Sequence, residues 1–255
     1  MELPKVLTDI SDAYQRILED NLCGIYVHGS LAFGCFHPAV SDIDFLVVIY
    51  QDISQEQKEA MILALCALQP SAPPKGFEMS VVLYRDCQSF SYPTPFLLHY
   101  SNAHIGHIKS NLSDYCRTMH GTDADLAAHF TVIRHTGIVL YGKPIVGVFG
   151  DVPMSDYLRS IQADIENAEI DIEDNPVYIT LNLCRVLAYV KDGLVLSKSE
   201  GGKWGVIHLP KPYHSLIQMA LNAYTTGQEM VFDLASALAF AAYMKSQIFG
   251  DAVCG

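Results

Sequence analysis

Residues 24–48, GIYVHGSLAFGCFHPAVSDIDFLVV, hold the pattern from which the rest of the chain is read. Two apolar runs, residues 25–27 and 45–49, enclose a polar loop, and turn-type residues at Pro38 and Ser41 precede the second run. The spacing predicts a strand, a Gly-Ser turn, a short helix or loop, and a second strand opened by two aspartates. Side chains alternate faces along a strand, so Asp42 and Asp44 point the same way, roughly 7 Å apart along the chain. Ile43 and Phe45 then enter the core. Neighbouring carboxylates repel unless a cation lies between them, and hard oxygen ligands that leave room for water and phosphate suit Mg²⁺. Gly29 lets a backbone come close to a phosphate, and Ser30 offers a hydroxyl where the following helix has free N–H groups.

Composition narrows the partners. The 255 residues carry 16 Lys and Arg against 28 Asp and Glu, a formal charge of -12. Nucleic-acid binding draws on clustered cations, so a long polyanion is excluded and a small cationic substrate is favoured. No run approaches the roughly 18 uncharged apolar residues that a membrane span needs. The opening MELPKVLTDISDAYQ lacks a signal-peptide layout, so a cytoplasmic location without membrane contact is expected. Seven cysteines, Cys23, Cys35, Cys66, Cys87, Cys116, Cys184 and Cys254, form no C-x-x-C pair and read mostly as buried small hydrophobes.

Outward from the opening stretch, residues 5–20 predict an amphipathic helix, and Ser54 with Gln57 predicts a capped helix through Cys66, ended by PSAPPKG at 70–76. FEMSVVLYR, residues 77–85, predicts a strand with Phe77, Met79 and Val81 on one face and Glu78, Ser80 and Val82 on the other. Glu78 is then either solvent-facing at an edge or turned into a site. His99, His104 and His107 lack any closed zinc spacing and read as structural or cleft histidines. Asp123 and Asp125 open a predicted helix to His135, followed by a strand at 139–141. The Gly- and Pro-rich GKPIVGVFGDVP, residues 142–153, predicts a boundary between an α/β domain with a mixed sheet, residues 1–150, and a helical bundle, residues 151–255. In the bundle, Ser155 caps a predicted helix to Glu169, Pro176 starts another to Val190, and two more cover 213–224 and 228–249. Trp204 reads as packing for this domain.

The Gly29-Ser30 pair, followed twelve residues after the serine by Asp42-x-Asp44, resembles the signature of the polymerase-beta-like nucleotidyltransferases. Within that group, YVHGSLAFGCFHPAVSDIDFLVV resembles the aminoglycoside nucleotidyltransferases that adenylylate streptomycin and spectinomycin. The resemblance implies a nucleotidyltransferase domain ahead of the helical one, ATP as substrate, Mg²⁺ as cofactor, and antibiotic resistance through transfer of AMP to a hydroxyl of a small cationic acceptor. It implies Asp42 and Asp44 as metal ligands, Glu78 as catalytic base, and Gly29 and Ser30 at the phosphates. Residues 178–210 resemble the matching stretch of those enzymes, which places Arg185 and Lys198 at the nucleotide. The drug-binding positions depart from the family. Ala103 stands where a G-E-W tryptophan is found, and DIEDNPV puts Ile172 near a missing tryptophan and Asp174 or Asn175 near an aspartate. Streptomycin is disfavoured on these grounds, and spectinomycin or another hydroxyl-bearing cation stays open. Two rival readings are transfer to a protein hydroxyl, as in nucleotidyltransferase-type antitoxins, and a non-catalytic nucleotide-binding module.

Overall fold

The computed structural model describes residues 3–250, in two compact units that part between Pro153 and Met154. The first unit runs α1 (Leu3–Leu18), β1 (Leu22–Val27), α2 (Gly29–Ala32), β2 (Ile43–Ile49), α3 (Gln55–Leu68), β3 (Phe77–Leu83), α4 (Tyr84–Gln88), β4 (Thr94–Phe96), β5 (Leu98–Tyr100), α5 (Ile105–Ser110), α6 (Leu112–Thr118), β6 (Gly121–Asp123), α7 (Leu126–Thr136) and β7 (Ile138–Gly142). Five strands form one sheet in the order β5-β3-β2-β1-β7, while β4 and β6 pair separately. Only β2 and β3 run parallel among the paired strands; the others are antiparallel, so the sheet is mixed.

Strands β2 and β3 are apolar on both faces and therefore need cover on both. One face carries Ile43, Phe45, Val47, Phe77, Met79 and Val81 into a core shared with Tyr14 of α1 and Met61 and Leu65 of α3. The other carries Tyr26, Leu46, Val48 and Val82 into a core with Phe130 and Ile133 of α7 and with Phe149. That second face is also the one on which Asp44 and Glu78 lie, by the two-residue period of the strands. The capping box at Ser54 is present: its hydroxyl accepts from the Gln57 N–H at 3.2 Å, and the Gln57 side chain accepts from the Ser54 N–H at 3.1 Å. Strand β3 stops at Leu83, two residues short of the predicted end, because Tyr84 begins the turn of helix that forms α4.

The second unit contains α8 (Met154–Ala163), α9 (Ala168–Asp171), α10 (Pro176–Asp192), α11 (Lys198–His208), α12 (His214–Thr226) and α13 (Leu234–Phe249). The predicted helix from Ser155 to Glu169 is two pieces, and Ser155 lies inside the first turn of α8 rather than at its cap. Helix α11 was not expected, since KSEGGKWGVIH carries three glycines and no amphipathic period. Tertiary packing explains it. A Cβ on Gly201 would lie 2.6 Å from Arg185 Cβ, and one on Gly205 would lie 2.7 Å from Cys184 Sγ, so the missing side chains are what let α11 approach α10. Ser197 and Glu200 close its start with a reciprocal capping box. Trp204 is buried there, donates from Nε1 to Asp192 at 2.7 Å and stacks on His208.

Cys23, Cys87, Cys116 and Cys184 are buried and Cys35 and Cys66 half-buried, all with free thiols; Cys254 lies outside the described residues. Among the described residues, no helix is long and apolar enough to cross a membrane.

Candidate active site

The parallel register of β2 and β3 sets Ile43 beside Phe77 and Asp44 beside Glu78. With apolar neighbours turned to one core, the two acids share the opposite face at the heads of their strands. Asp42, just before β2, joins them. One carboxylate oxygen from each of Asp42, Asp44 and Glu78 lies within 4.8 Å of the other two, and all three residues are partly buried.

Strand β1 delivers the turn to the same place. The His28 N–H donates to the Asp44 carbonyl at 3.0 Å, and the chain then bends through Gly29 into α2. Gly29 has φ +62°, and a Cβ there would stand 1.9 Å from Asp44 Oδ2. The backbone conformation disfavours a side chain, and one there would displace the Asp44 carboxylate. The Ser30 hydroxyl is buried with no hydrogen-bond partner. Three hard oxygen donors at mutually repulsive range, a glycine cradle that a methyl group would fill, and an orphaned hydroxyl together fit a hard divalent cation with a phosphate beside it.

Two histidines also stand at this site. His129 on α7 places Nε2 4.0 Å from Glu78 Oε1, and its ring lies 4.5 Å from that of His28. His28 is 4% exposed, and burial first, then the neighbouring His129, hold its pKa far below the ordinary imidazole value. The Thr136 hydroxyl donates to the Ala32 carbonyl at 2.8 Å and ties the end of α7 to α2. The available clue to His129 was its place in AAHFTVIRH beside Phe130, at the border of the helix face that buries Leu126, Phe130 and Ile133.

His99 and His107 pair with side chains outside the acid trio. His99 Nδ1 lies 2.9 Å from the Ser80 hydroxyl, and its carbonyl accepts from the Tyr115 hydroxyl at 2.6 Å. His107 Nε2 lies 3.1 Å from Asp114. Among the described residues the acid trio is the one group of three side chains placed to hold a metal.

Arg185 and Lys198 belong to the second unit. Arg185 Nη2 meets Asp164 Oδ2 at 2.9 Å, while its Nε is buried without a partner. Lys198, at the first turn of α11, lies 4.9 Å over the Tyr178 ring. Asp164, Asp171, Asn175, Tyr178 and Ile179 line a cavity of about 250 Å³. Ile172 is fully buried and Ala103 is exposed.

Comparison with known proteins follows the same division. Residues 8–69 match the family model of the nucleotidyltransferase domain, and residues 147–247 match that of the aminoglycoside adenylyltransferase C-terminal domain. A spectinomycin 9-adenylyltransferase of Campylobacter jejuni is 21% identical over 252 residues, covering 97% of this chain and 96% of the relative. One from Enterococcus faecalis is 20% identical over 223 residues, covering 86% of each. The crystal structure of the Enterococcus spectinomycin adenyltransferase AAD(9) with ATP and spectinomycin superposes with a TM-score of 0.81 at 19% identity, over 96% of this chain and 99% of that one. At that identity the superposition establishes the fold: a nucleotidyltransferase domain followed by a helical one.

Proposed function

We infer that this chain, which matches a nucleotidyltransferase domain and the C-terminal domain of aminoglycoside adenylyltransferase, moves AMP from ATP to a hydroxyl of a small cationic acceptor of the spectinomycin type and releases pyrophosphate. The observation that carries this reading is the convergence of Asp42, Asp44 and Glu78 beside the Gly29-Ser30 turn. In the reaction the acceptor oxygen bonds to the α-phosphorus, the bond from that phosphorus to the bridging oxygen breaks, and the acceptor proton leaves. Glu78 is assigned to take that proton. Gly29 and Ser30 hold the phosphates, the first by letting the backbone approach and the second through its unpartnered hydroxyl. Asp42 and Asp44 would hold Mg²⁺, which when bound screens the charge of the triphosphate. Arg185 and Lys198 are assigned to the nucleotide by the resemblance of residues 178–210 to the matching stretch of the aminoglycoside nucleotidyltransferases.

Support for a small cationic acceptor comes from three directions. The relatives are spectinomycin 9-adenylyltransferases. The chain's formal charge of -12 attracts cations and repels polyanions. The helical second domain suits a small molecule better than a protein hydroxyl, and Asp171 lines a cavity there in which Asp164 is already paired with Arg185. The test incubates the purified protein with ATP, Mg²⁺ and, separately, spectinomycin, streptomycin and other aminoglycosides, and measures pyrophosphate release. Release with spectinomycin, lost in Glu78→Gln, is expected; no release with any member of the panel would refute the acceptor class.

A further inference from the structure

We propose that His129 is a positioning residue for Glu78: its Nε2–H anchors Glu78 Oε1 and leaves the second carboxylate oxygen to take the acceptor proton. The proposal rests on the reading of Glu78 as the base.

Glu78 stands at the head of β3 with about a third of its side chain exposed, and two more carboxylates converge on it. Repulsion from Asp42 and Asp44 drives a flexible glutamate outward, away from the place where it must meet a hydroxyl. A hydrogen-bond donor that holds one of its oxygens limits that motion, and His129 supplies one. Its Nε2 lies 4.0 Å from Oε1, longer than the ~2.6–3.2 Å of a working contact, which such groups reach when the site fills.

The ring has little freedom to face elsewhere. His129 is carried on α7, whose Leu126, Phe130 and Ile133 are fully buried, and its ring lies against that of His28, which is itself buried. Its Nδ1 is buried and has no hydrogen-bond partner, so Nε2 is the ring nitrogen that meets another side chain. The tautomer with hydrogen on Nε2 points a donor at the carboxylate and leaves Nδ1 as a bare acceptor. The opposite tautomer would bury an unsatisfied N–H and aim a lone pair at an anion. Both effects select the same form.

The test uses His129→Phe, which keeps a ring against His28 but removes the donor, and His129→Gln, which restores an N–H. In the full-length protein with ATP, Mg²⁺ and the acceptor, His129→Phe should lower kcat by roughly tenfold or more, because misplacing a reacting group by about an ångström costs on that scale. The KM for ATP should hold. His129→Gln should recover part of the loss. In a Glu78→Gln background, adding His129→Phe should cost nothing further. Losses of equal size in both backgrounds, or a kcat within twofold of the parent, would overturn the proposal. ¹⁵N imidazole spectra give a readout that needs no acceptor: His129 should carry its proton on Nε2, and Glu78→Ala should move that resonance. A proton on Nδ1 would also overturn the proposal. A wild-type protein that transfers nothing, yet shows the Nε2–H form coupled to Glu78, would instead count against the proposed function and keep the positioning contact.

Discussion

At the heads of β2 and β3, Asp42, Asp44 and Glu78 gather like charges within 4.8 Å, whereas just beyond the tails of the same strands Lys143 sits 5.1 Å over the ring of Tyr50 and 5.0 Å over that of Tyr84. The tail is complete in itself: a cation rests on two aromatic faces, and the Tyr84 hydroxyl donates to the Gly147 carbonyl at 3.1 Å. The head gathers charges that oppose one another in the folded chain. A strand pair that settles a lone cation on aromatic faces at one end and concentrates like charge at the other marks the second as the place where something binds.

The contrast is broken most sharply by removing one acid. Glu78→Gln should cut AMP transfer by about 10²–10⁴-fold, the range expected for losing a general base. The melting temperature should stay level or rise, because one of three mutually repelling charges is gone. A clear fall in Tm would mean that Glu78 holds the fold together, and the two strand ends would then be alike.

Gly29→Ala attacks the same end through the backbone. The left-handed conformation at φ +62° costs alanine about 1–2 kcal/mol. The new methyl group also meets Asp44 Oδ2, the free end of a side chain, which can swing aside. Turnover should therefore suffer more than stability: a loss of roughly a hundredfold in kcat with only a few degrees in Tm. Equal retention of activity would show that Asp44 need not stand where the glycine leaves room.

Mg²⁺ offers a gentler probe of the two ends. Saturating the wild-type protein at about a hundred times Kd should stabilise it by about 2.7 kcal/mol, seen as a rise in Tm. Asp42→Asn with Asp44→Asn should abolish that rise. Lys143→Met, at the other end, should lower Tm slightly and leave both the Mg²⁺ response and turnover unchanged. A Mg²⁺ shift that survives loss of both aspartates would place the cation elsewhere.

How far these features can be read from the chain depends on the range over which they are encoded. The Gly-Ser turn, the aspartate pair and the alternation that sends Ile43 and Phe45 to the core are local, and a few consecutive residues specify them. The approach of Glu78 to Asp44 is not local. Alternation fixes its face, but only the parallel pairing of β2 with β3 fixes its neighbour, and the family resemblance stood in for that register. His129 lies on a helix 51 residues further along than Glu78 and has no spacing to betray it, because its relation to Glu78 is set by how α7 packs on the sheet. Helix α11 was hidden for the opposite reason. Its glycines lower helix propensity in isolation, and their value lies in the close approach to α10, which a single segment cannot display.

The smallest expected effect separates a histidine of the framework from those at the site. Burial, followed by His104, lowers the pKa of His99 from 6.5 to about 4, with Asp123 acting in the opposite sense and His129 adding to the depression. The unfolded chain therefore binds a proton near pH 6.5 that the folded chain refuses until about pH 4. Stability from this group is fully present above 6.5, declines as the pH falls toward 4, and loses nothing more below that. The slope cannot exceed about 1.4 kcal/mol per pH unit for one proton. His99→Gln keeps a polar partner for the Ser80 hydroxyl and removes the titration. Denaturant melts of the two proteins between pH 7 and pH 4 should diverge, with the parent losing more stability as the solution is acidified. Parallel curves would show that His99 takes up its proton in the folded protein as readily as in the unfolded one, and the interior around Ser80 would then be wetter than its packing implies.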